Sequence, residues 1–97
     1  MSISSHVENK TLHIQVKGAL TVDIFKEFES SYAQKQFDHI VIDLLQCHHI
    51  DSGGLGMLLQ MRDRMGQDAN KITIKNMSSD IQKIFEVVRF AQLFNMA

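Results

Sequence analysis

The sequence of 97 residues predicts one α/β domain, residues 1–97, in which a four- to five-stranded mixed sheet packs against three to four helices. Two patterns carry this prediction. Runs in which apolar and polar residues alternate, typical of strands, are separated by runs in which apolar residues recur every three or four positions, typical of helices. Parallel strands need a crossover of a dozen or more residues, which a helix supplies, so the alternation indicates a parallel or mixed sheet.

The first half of the chain predicts three strands and one helix. Residues 3–8 and 12–18 are alternating runs joined by a turn at Asn9-Lys10, and the second run ends at a glycine. From Val22 to Phe37 the apolar residues follow helical spacing. The nearly continuous apolar run from His39 to Leu45 is typical of a strand buried on both faces.

The second half predicts a helix, a strand, a helix and a short apolar end. Leu55–Met65 has helical periodicity, and Gly66 is placed to end that helix. Residues 71–76 alternate as a strand. Ser79-Asp80-Ile81-Gln82 has the spacing of a capping box and opens the last helix. The apolar residues of 90–97 are expected to dock on the core.

Composition and charge exclude several classes of function. The chain has 44% hydrophobic and 22% charged residues with a net charge of -1, so no basic surface for nucleic acid or an anionic membrane is expected. Cys47 is the single cysteine, so no internal disulfide can form, as in a reducing cytoplasm. The first residues lack a basic segment followed by an apolar one, and no apolar run approaches the ~20 residues of a membrane span. A cytoplasmic location is expected.

The most informative stretch is Ile50–Gly56, "IDSGGLG", which joins a predicted buried strand to a predicted helix. One interpretation is structural: Asp51 or Ser52 caps the helix and the glycines fit a tight turn. The other is functional: glycines without Cβ atoms on the outer side let another molecule come close, and Ser52 accepts a phosphoryl group at the positive end of the helix dipole. The residue chemistry leaves both open.

The stretch "HIVIDLLQCHHIDSGGLGMLLQMRDRMG" resembles the STAS domain of bacterial anti-sigma factor antagonists, in which an apolar strand and a short loop precede Asp-Ser-(Ser/Thr/Gly)-Gly-Leu-Gly at the start of a helix. "LHIQVKGAL" and "KITIKNMSSDIQKIFEVVRFAQLF" extend the resemblance over nearly the whole chain. It implies that Ser52 is phosphorylated by a cognate anti-sigma factor with a histidine-kinase-like ATPase architecture. Gly53 stands where the family commonly has Ser or Thr, which leaves Ser52 as the only hydroxyl acceptor in the loop.

The resemblance implies a protein that acts through partner switching in transcription regulation. When unphosphorylated, it would bind the anti-sigma factor and release the sigma factor. When phosphorylated, it would be rejected, and a serine phosphatase would return it to the unphosphorylated form. The catalytic machinery lies in these partners, so the chain is expected to be no enzyme and to need no cofactor. The expected partner-binding residues are Thr21, Asp23, Asp51, Ser52, Gly53, Gly54, Leu55, Gly56 and Met57. Thr21 stands where the family often has an acid, and Asp23 lies nearby.

The alternative function is a STAS subunit that does not switch, for example on the ATPase of a lipid-transport complex, with Ser52 acting only as a helix cap. The intact acceptor serine with an adjacent acid favours the switch. A serine hydrolase is disfavoured because "IDSGGLG" lacks the Gly-x-Ser-x-Gly elbow. No metal site is expected at Cys47, His48 and His49, because adjacent residues rarely converge on one ion.

The methionines of the central helix have two interpretations. Leu55, Leu58 and Leu59 are expected in the core. Met57 and Met61 widen the apolar arc beyond what packing on a sheet needs. They either belong to the core or form an exposed edge beside the glycine loop, where flexible methionines would suit partner binding.

Overall fold

A computed structural model, which describes residues 2–97, contains one five-stranded sheet. Its strands are β1 Ile3–Glu8, β2 Thr11–Leu20, β3 His39–Ile50, β4 Ile72–Lys75 and β5 Asn95–Met96. They lie in the sheet in the order β1-β2-β3-β4-β5, which is also their order along the chain. β1 pairs with β2 in antiparallel orientation, and the other neighbours are parallel. The mixed five-stranded sheet is therefore as predicted.

Three α-helices and three short 3-10 helices connect the strands. The α-helices are α1 Phe25–Ser30, α2 Ser52–Arg64 and α3 Ser79–Val87, and the 3-10 helices are Val22–Ile24, Ala69–Lys71 and Phe90–Gln92. In the described part of the chain, no helix has the length and apolar character that crossing a bilayer requires.

The turn at Asn9-Lys10 joins β1 to β2 as predicted. Both residues have positive φ, 52° and 65°, which is the backbone of a two-residue type I′ hairpin turn. This turn fixes the register of the two strands, in which Glu8 lies opposite Thr11. Residues that lie opposite each other in this register, such as His6 and His13, therefore point to the same face of the sheet.

β2 and β3 are both longer than predicted. The expected end of β2 at Gly18 is wrong, because the strand passes through two register shifts, between Gln15 and Lys17 and between Gly18 and Ala19, and continues to Leu20. Gly18 has a φ of 87°, so the glycine serves an irregularity within the strand. β3 extends past Leu45 to Ile50, which pairs with Leu20. Bulges break the alternation that marks a strand in sequence, so these extensions were not visible there.

The predicted helix Val22–Phe37 is much shorter in the structure. A 3-10 helix covers Val22–Ile24, and α1 ends at Ser30. The hydroxyl of Ser31 donates to the carbonyl of Phe28, and such local side-chain bonds compete with continuation of a helix. Tyr32 is nevertheless buried and meets the Phe28 ring edge-on, with 5.8 Å between the centroids.

The core lies on one face of the sheet. Burial alternates along β2, β3 and β4, and the inward residues form one cluster with the helices, whose largest fully buried members are Phe28, Phe85, Leu12, Ile14, Leu20, Ile40, Ile42, Leu44, Leu58, Met61, Ile72 and Ile74. The prediction that His39–Leu45 is buried on both faces is therefore wrong. Val41 and Asp43 on the opposite face are only half-buried. Among residues 2–97, the helices pack in the one core cluster and none lies against this second face.

α2 faces the sheet with residues other than those expected. Met57 and Met61 are 4% and 0% exposed, so the hypothesis of an exposed methionine edge is wrong. Leu58 is buried as predicted and Leu55 is half-buried, but Leu59, expected in the core, is 37% exposed. The inward residues are 54, 57, 58 and 61, one i, i+3, i+4, i+7 stripe that begins at a glycine.

α3 begins one residue away from the predicted cap. The predicted box started at Ser79, but the hydroxyl of Ser78 accepts a hydrogen bond from the amide of Ile81 at 3.2 Å. The stop at Gly66 is as predicted: it follows the end of α2 with a φ of 75°. The apolar end of the chain docks as expected through the rings of Phe85, Phe90 and Phe94.

Replacing Gly54 with Ala is expected to destabilise the fold. A Cβ atom there would overlap the carbonyl oxygen of Leu20 and lie 2.9 Å from Cγ1 of Ile50, so main chain would have to move. Such overpacking costs about 1–3 kcal/mol and at times more. In a domain of this size ~1 kcal/mol corresponds to ~4–8 °C in Tm, which a thermal melt measures.

Gly56→Ala is the matched control for Gly54→Ala. A Cβ atom at Gly56 meets nothing within 4 Å, and alanine is favoured over glycine in a helix by roughly 0.8–1 kcal/mol. Gly56→Ala should therefore melt at or above the wild-type temperature. Equal melting of the two variants would contradict the role assigned to Gly54.

Candidate functional site

Ser52 is exposed at the carboxyl end of β3, as the first residue of α2. In open α/β sheets, ligands and partners usually meet the fold at this edge. Asp51, not Ser52, caps the helix: its Oδ1 accepts a hydrogen bond from the amide of Gly54 at 2.8 Å. Of the two cap residues that the sequence allowed, the structure uses the acid. The hydroxyl of Ser52 hydrogen-bonds to no residue between 2 and 97 and remains available.

The start of α2 favours a negative charge at Ser52. Asp51 satisfies the amide of Gly54, while the amides of Ser52 and Gly53 lie in the first turn, where no intrahelical acceptor exists. These donors and the positive end of the helix dipole stabilise an anion. Asp51 is half-buried and contributes one negative charge beside the site. A phosphate on Ser52 would thus be compatible with the helix and would make this edge strongly acidic.

The three glycines of the loop have different roles. Gly54 is buried against the end of β2, so its missing Cβ serves the fold. A Cβ on Gly53 would lie 3.0 Å from Cβ of Val22, which is also tight. Gly56 is exposed and open, one turn after Ser52 on the same side of α2. The expectation that all three glycines face outward is therefore wrong, and it holds only for Gly56.

The close contact at Gly53 brings the 3-10 helix Val22–Ile24 beside the start of α2. Thr21 and Asp23, which were predicted to contact a partner, flank Val22 in this segment; Thr21 is half-buried and Asp23 is exposed. Sequence reasoning missed Val22 itself, which is 61% exposed despite its apolar side chain. The available signal was its place at the very start of the predicted helix Val22–Phe37, two residues after Leu20, where a side chain can extend beyond the packed face.

Ser52, Gly56 and Leu59 follow one another on the outer side of α2, and Val22 lies beside them across Gly53. We call these four residues the Ser52 surface. This surface combines the hydroxyl of Ser52 and the exposed backbone at Gly56 with the exposed apolar side chains of Val22 and Leu59. Sequence reasoning placed Leu59 in the core because the apolar arc of α2 is wide.

Some of the predicted contact residues point away from this surface. Gly54 and Met57 are buried and Leu55 is half-buried against the core. Asp51 holds the helix cap. These four residues therefore support the loop from within, and of the predicted set Ser52, Gly56 and Asp23 are exposed.

Cys47 has no features of a reactive thiol. It is buried, and burial raises the pKa of its thiol, which favours the protonated form. Its Sγ donates to the carbonyl oxygen of His49 at 3.4 Å. In this environment Cys47 acts as a small buried hydrophobe.

Comparison with known proteins places this fold and loop in a family. A family model described as "Mlab, STAS domain" matches residues 4–95. A STAS-domain containing protein of Pseudomonas aeruginosa (strain UCBPP-PA14) is 30% identical over 92 residues, which covers 93% of this chain and 91% of the relative.

Solved structures share the architecture at low sequence identity. The anti-sigma factor antagonist SpoIIAA in its unphosphorylated form matches with a TM-score of 0.70 and 21% identity, over 98% of this chain and 86% of that one. SpoIIAA of Bacillus in the phosphorylated form gives 0.68 and 20%, over 98% and 90%. An anti-sigma factor antagonist from Mycobacterium paratuberculosis gives 0.79 and 13%, over 97% and 82%. The fold is SpoIIAA-like, and since the family model spans residues 4–95, the chain belongs to the STAS domain family.

Proposed function

We propose that this chain is a cytoplasmic, phosphorylation-switched antagonist of an anti-sigma factor. Unphosphorylated at Ser52, it binds an anti-sigma factor that is also a serine kinase, and the sigma factor is released. Phosphorylated at Ser52, it is rejected by that partner until a serine phosphatase removes the phosphate.

The observation that carries the proposal is the pair Ser52 and Gly56. Gly56 is exposed inside a helix, and a Cβ atom there would meet nothing within 4 Å, so the fold does not require a glycine at this position. Glycine destabilises a helix interior relative to alanine. A bare backbone beside the free hydroxyl of Ser52 is suited to close approach by another protein, as a kinase or an anti-sigma factor requires.

The structural neighbours support the proposal by analogy. SpoIIAA, an anti-sigma factor antagonist of the same fold, is known in unphosphorylated and phosphorylated forms. In this chain, the helix start is able to hold a phosphate without loss of the fold, because added negative charge there is stabilising by ~0.3–1 kcal/mol. A switch of this kind needs a fold that both states share.

Electrostatic exclusion explains how the phosphate would prevent binding. A phosphoserine adds nearly two negative charges, beside the charge that Asp51 already contributes. Burying that charge in an interface without a counter-charge costs several kcal/mol. Even ~3 kcal/mol corresponds to about a hundredfold weaker binding. The switch therefore needs no rearrangement of the domain.

The chemistry of the switch belongs to the partners. The kinase brings ATP and the phosphatase brings its own catalytic groups, so this chain supplies only the acceptor and the surface around it. The proposal gives the chain no catalytic residue and no cofactor. Val22 and Leu59 would provide the apolar contacts of the partner interface, and Asp23 its charged edge.

The second candidate is a STAS subunit that does not switch, such as a partner of a lipid-transport ATPase. The observation in its favour is that the matching family model is named for Mlab. The helix cap argues against this candidate. The candidate requires Ser52 to cap α2, but the carboxylate of Asp51 caps the helix instead. Co-purification separates the two, through recovery of a kinase-like anti-sigma factor or of a transporter ATPase.

Incubation with the co-purified kinase and ATP should add one phosphate, located on Ser52 by mass spectrometry of the intact protein and its peptides. Ser52→Ala should accept none, because the loop offers no other hydroxyl. The control is a variant with both Ser78→Ala and Ser79→Ala, which should be phosphorylated like the wild type. Phosphate on Ser78 or Ser79 would show that the site assignment is wrong.

Ser52→Asp should lose affinity for the anti-sigma factor by about a hundredfold while its Tm stays within a few degrees of wild type. Ser52→Ala should retain both properties. The measurements are a thermal melt and a binding titration on the same proteins.

Ser79→Asp is the matched control for Ser52→Asp. Ser79 is also the exposed first residue of a capped helix, so the variant places the same charge in an equivalent position on α3. It should bind the anti-sigma factor like the wild type. Tight binding by Ser52→Asp would refute charge exclusion, and loss of binding through unfolding would refute the stabilising role of the helix start.

A further inference from the structure

We propose that His6, Glu8 and His13 form a binding site for a divalent transition-metal ion of the Zn²⁺ class. The three residues lie on β1 and β2, on the face of the sheet that no helix covers. This site is independent of the proposed switch at Ser52. Sequence reasoning did not find this site, because the metal hypothesis weighed from the sequence concerned Cys47, His48 and His49.

The hairpin brings the three side chains together. In the antiparallel register His6 lies directly opposite His13, and Glu8, two residues further along β1, points to the same face as His6. One possible ligand atom from each residue lies within 4.8 Å of the others. The backbone of this pair is held by the Asn9-Lys10 turn, so the spacing of the two histidines is set by strand pairing.

The two imidazole rings are already stacked, with 5.0 Å between their centroids and 13° between their planes. Nε2 of His6 lies 3.8 Å from Oε1 of Glu8. Tetrahedral Zn²⁺ with bonds of ~2.0–2.2 Å places its ligand atoms roughly 3.4 Å apart. The ligand atoms, which lie 3.8 Å to at most 4.8 Å apart, therefore need to close by roughly 0.4–1.4 Å. Rotation about χ angles supplies this, since His6 and Glu8 are exposed and His13 is half-buried.

The donor set has the chemistry that this class of ion prefers. Neutral imidazole and carboxylate are zinc ligands, and three protein ligands leave a fourth position for water or another molecule. Among residues 2–97, the rings of His6 and His13 have no hydrogen-bond partner, apart from the approach of Glu8 to His6. His39, on the neighbouring β3, differs because its Nε2 is already paired with the hydroxyl of Thr73 at 2.9 Å.

The surroundings do not oppose a cation. A shallow depression beside the histidines is lined by Asp43 and Lys75, whose charges are opposite in sign. Glu8 itself contributes a negative charge next to both imidazoles. An ion held here would tie the edge strand β1 to β2.

The metal site lies far from the Ser52 surface. His13 is level with Val41 in β3, and Ser52 follows Ile50 at the far end of the same strand. The nine residue steps from Val41 to Ile50 span about 30 Å at ~3.3 Å per step. Loss of metal binding and loss of the switch would therefore be separate observations.

The test is calorimetric titration of protein without an affinity tag with Zn²⁺, repeated with Co²⁺ as a spectroscopic probe. One ion per chain is expected. His6→Ala/His13→Ala should abolish saturable binding. Glu8→Gln, which removes a charged ligand, should weaken binding by at least the roughly tenfold that loss of an outer-shell partner costs. Zn²⁺ should raise the Tm of the wild type and leave that of the double variant unchanged, because the ion binds only the folded hairpin.

His48→Ala/His49→Ala is the matched control, since it removes two exposed histidines from the other end of the sheet. It should bind Zn²⁺ like the wild type. The proposal is overturned if the wild type shows no saturable binding, if His6→Ala/His13→Ala retains wild-type affinity, or if the control loses it. Unchanged affinity in Glu8→Gln would overturn the three-ligand site. Circular dichroism of each variant establishes that it is folded, since all the substituted side chains lie at the surface or half-buried.

Discussion

The close approach of α2 to the end of β2 is the constraint on which the rest of the functional surface depends. Gly54 lies so near the carbonyl oxygen of Leu20 that no side chain fits between them. Because a helix repeats every 3.6 residues, this one contact determines which residues of α2 face the sheet. Met57, Leu58 and Met61 turn inward, and Ser52, Gly56 and Leu59 turn to solvent.

The "DSGGLG" motif therefore combines three separate functions in six residues. Asp51 closes the first turn by accepting the amide of Gly54, and Gly54 allows the helix to pack on the sheet. These two residues serve the fold, and because Asp51 caps the helix, Ser52 is not needed as a cap. Ser52 and Gly56 are the positions that the fold does not use, which is why we assign them to the partner. Only part of the motif is therefore proposed to contact a partner, and the rest holds the helix in place on the sheet.

The sheet separates two surfaces of different chemistry. Its helices all join one core on one face, so the other face presents the outward residues of β1 and β2, including His6, Glu8 and His13. The Ser52 surface lies at the carboxyl ends of the parallel strands, while the histidine pair lies near the amino end of β2. With one surface used for a protein partner and the other for an ion, neither would obstruct the other.

The sequence by itself determined the order of the elements, the Asn9-Lys10 turn, the stop at Gly66 and the strand-to-helix position of Ser52. These features depend on neighbouring residues, whose backbone preferences and local periodicity are readable from sequence. The family was also visible there, because the "DSGGLG" motif occurs in its strand-to-helix context.

Only the tertiary structure decided which side of α2 faces the sheet, how long β2 and β3 are, and that His6 pairs with His13. The apolar arc of α2 is wide enough for several orientations, and contact between Gly54 and Leu20 selects the one that buries Met57 and Met61. The strands continue through bulges because pairing with a neighbour stabilises residues whose own pattern is irregular. His6 and His13 meet through strand register, which depends on hydrogen bonds between two segments and not on the spacing within either one.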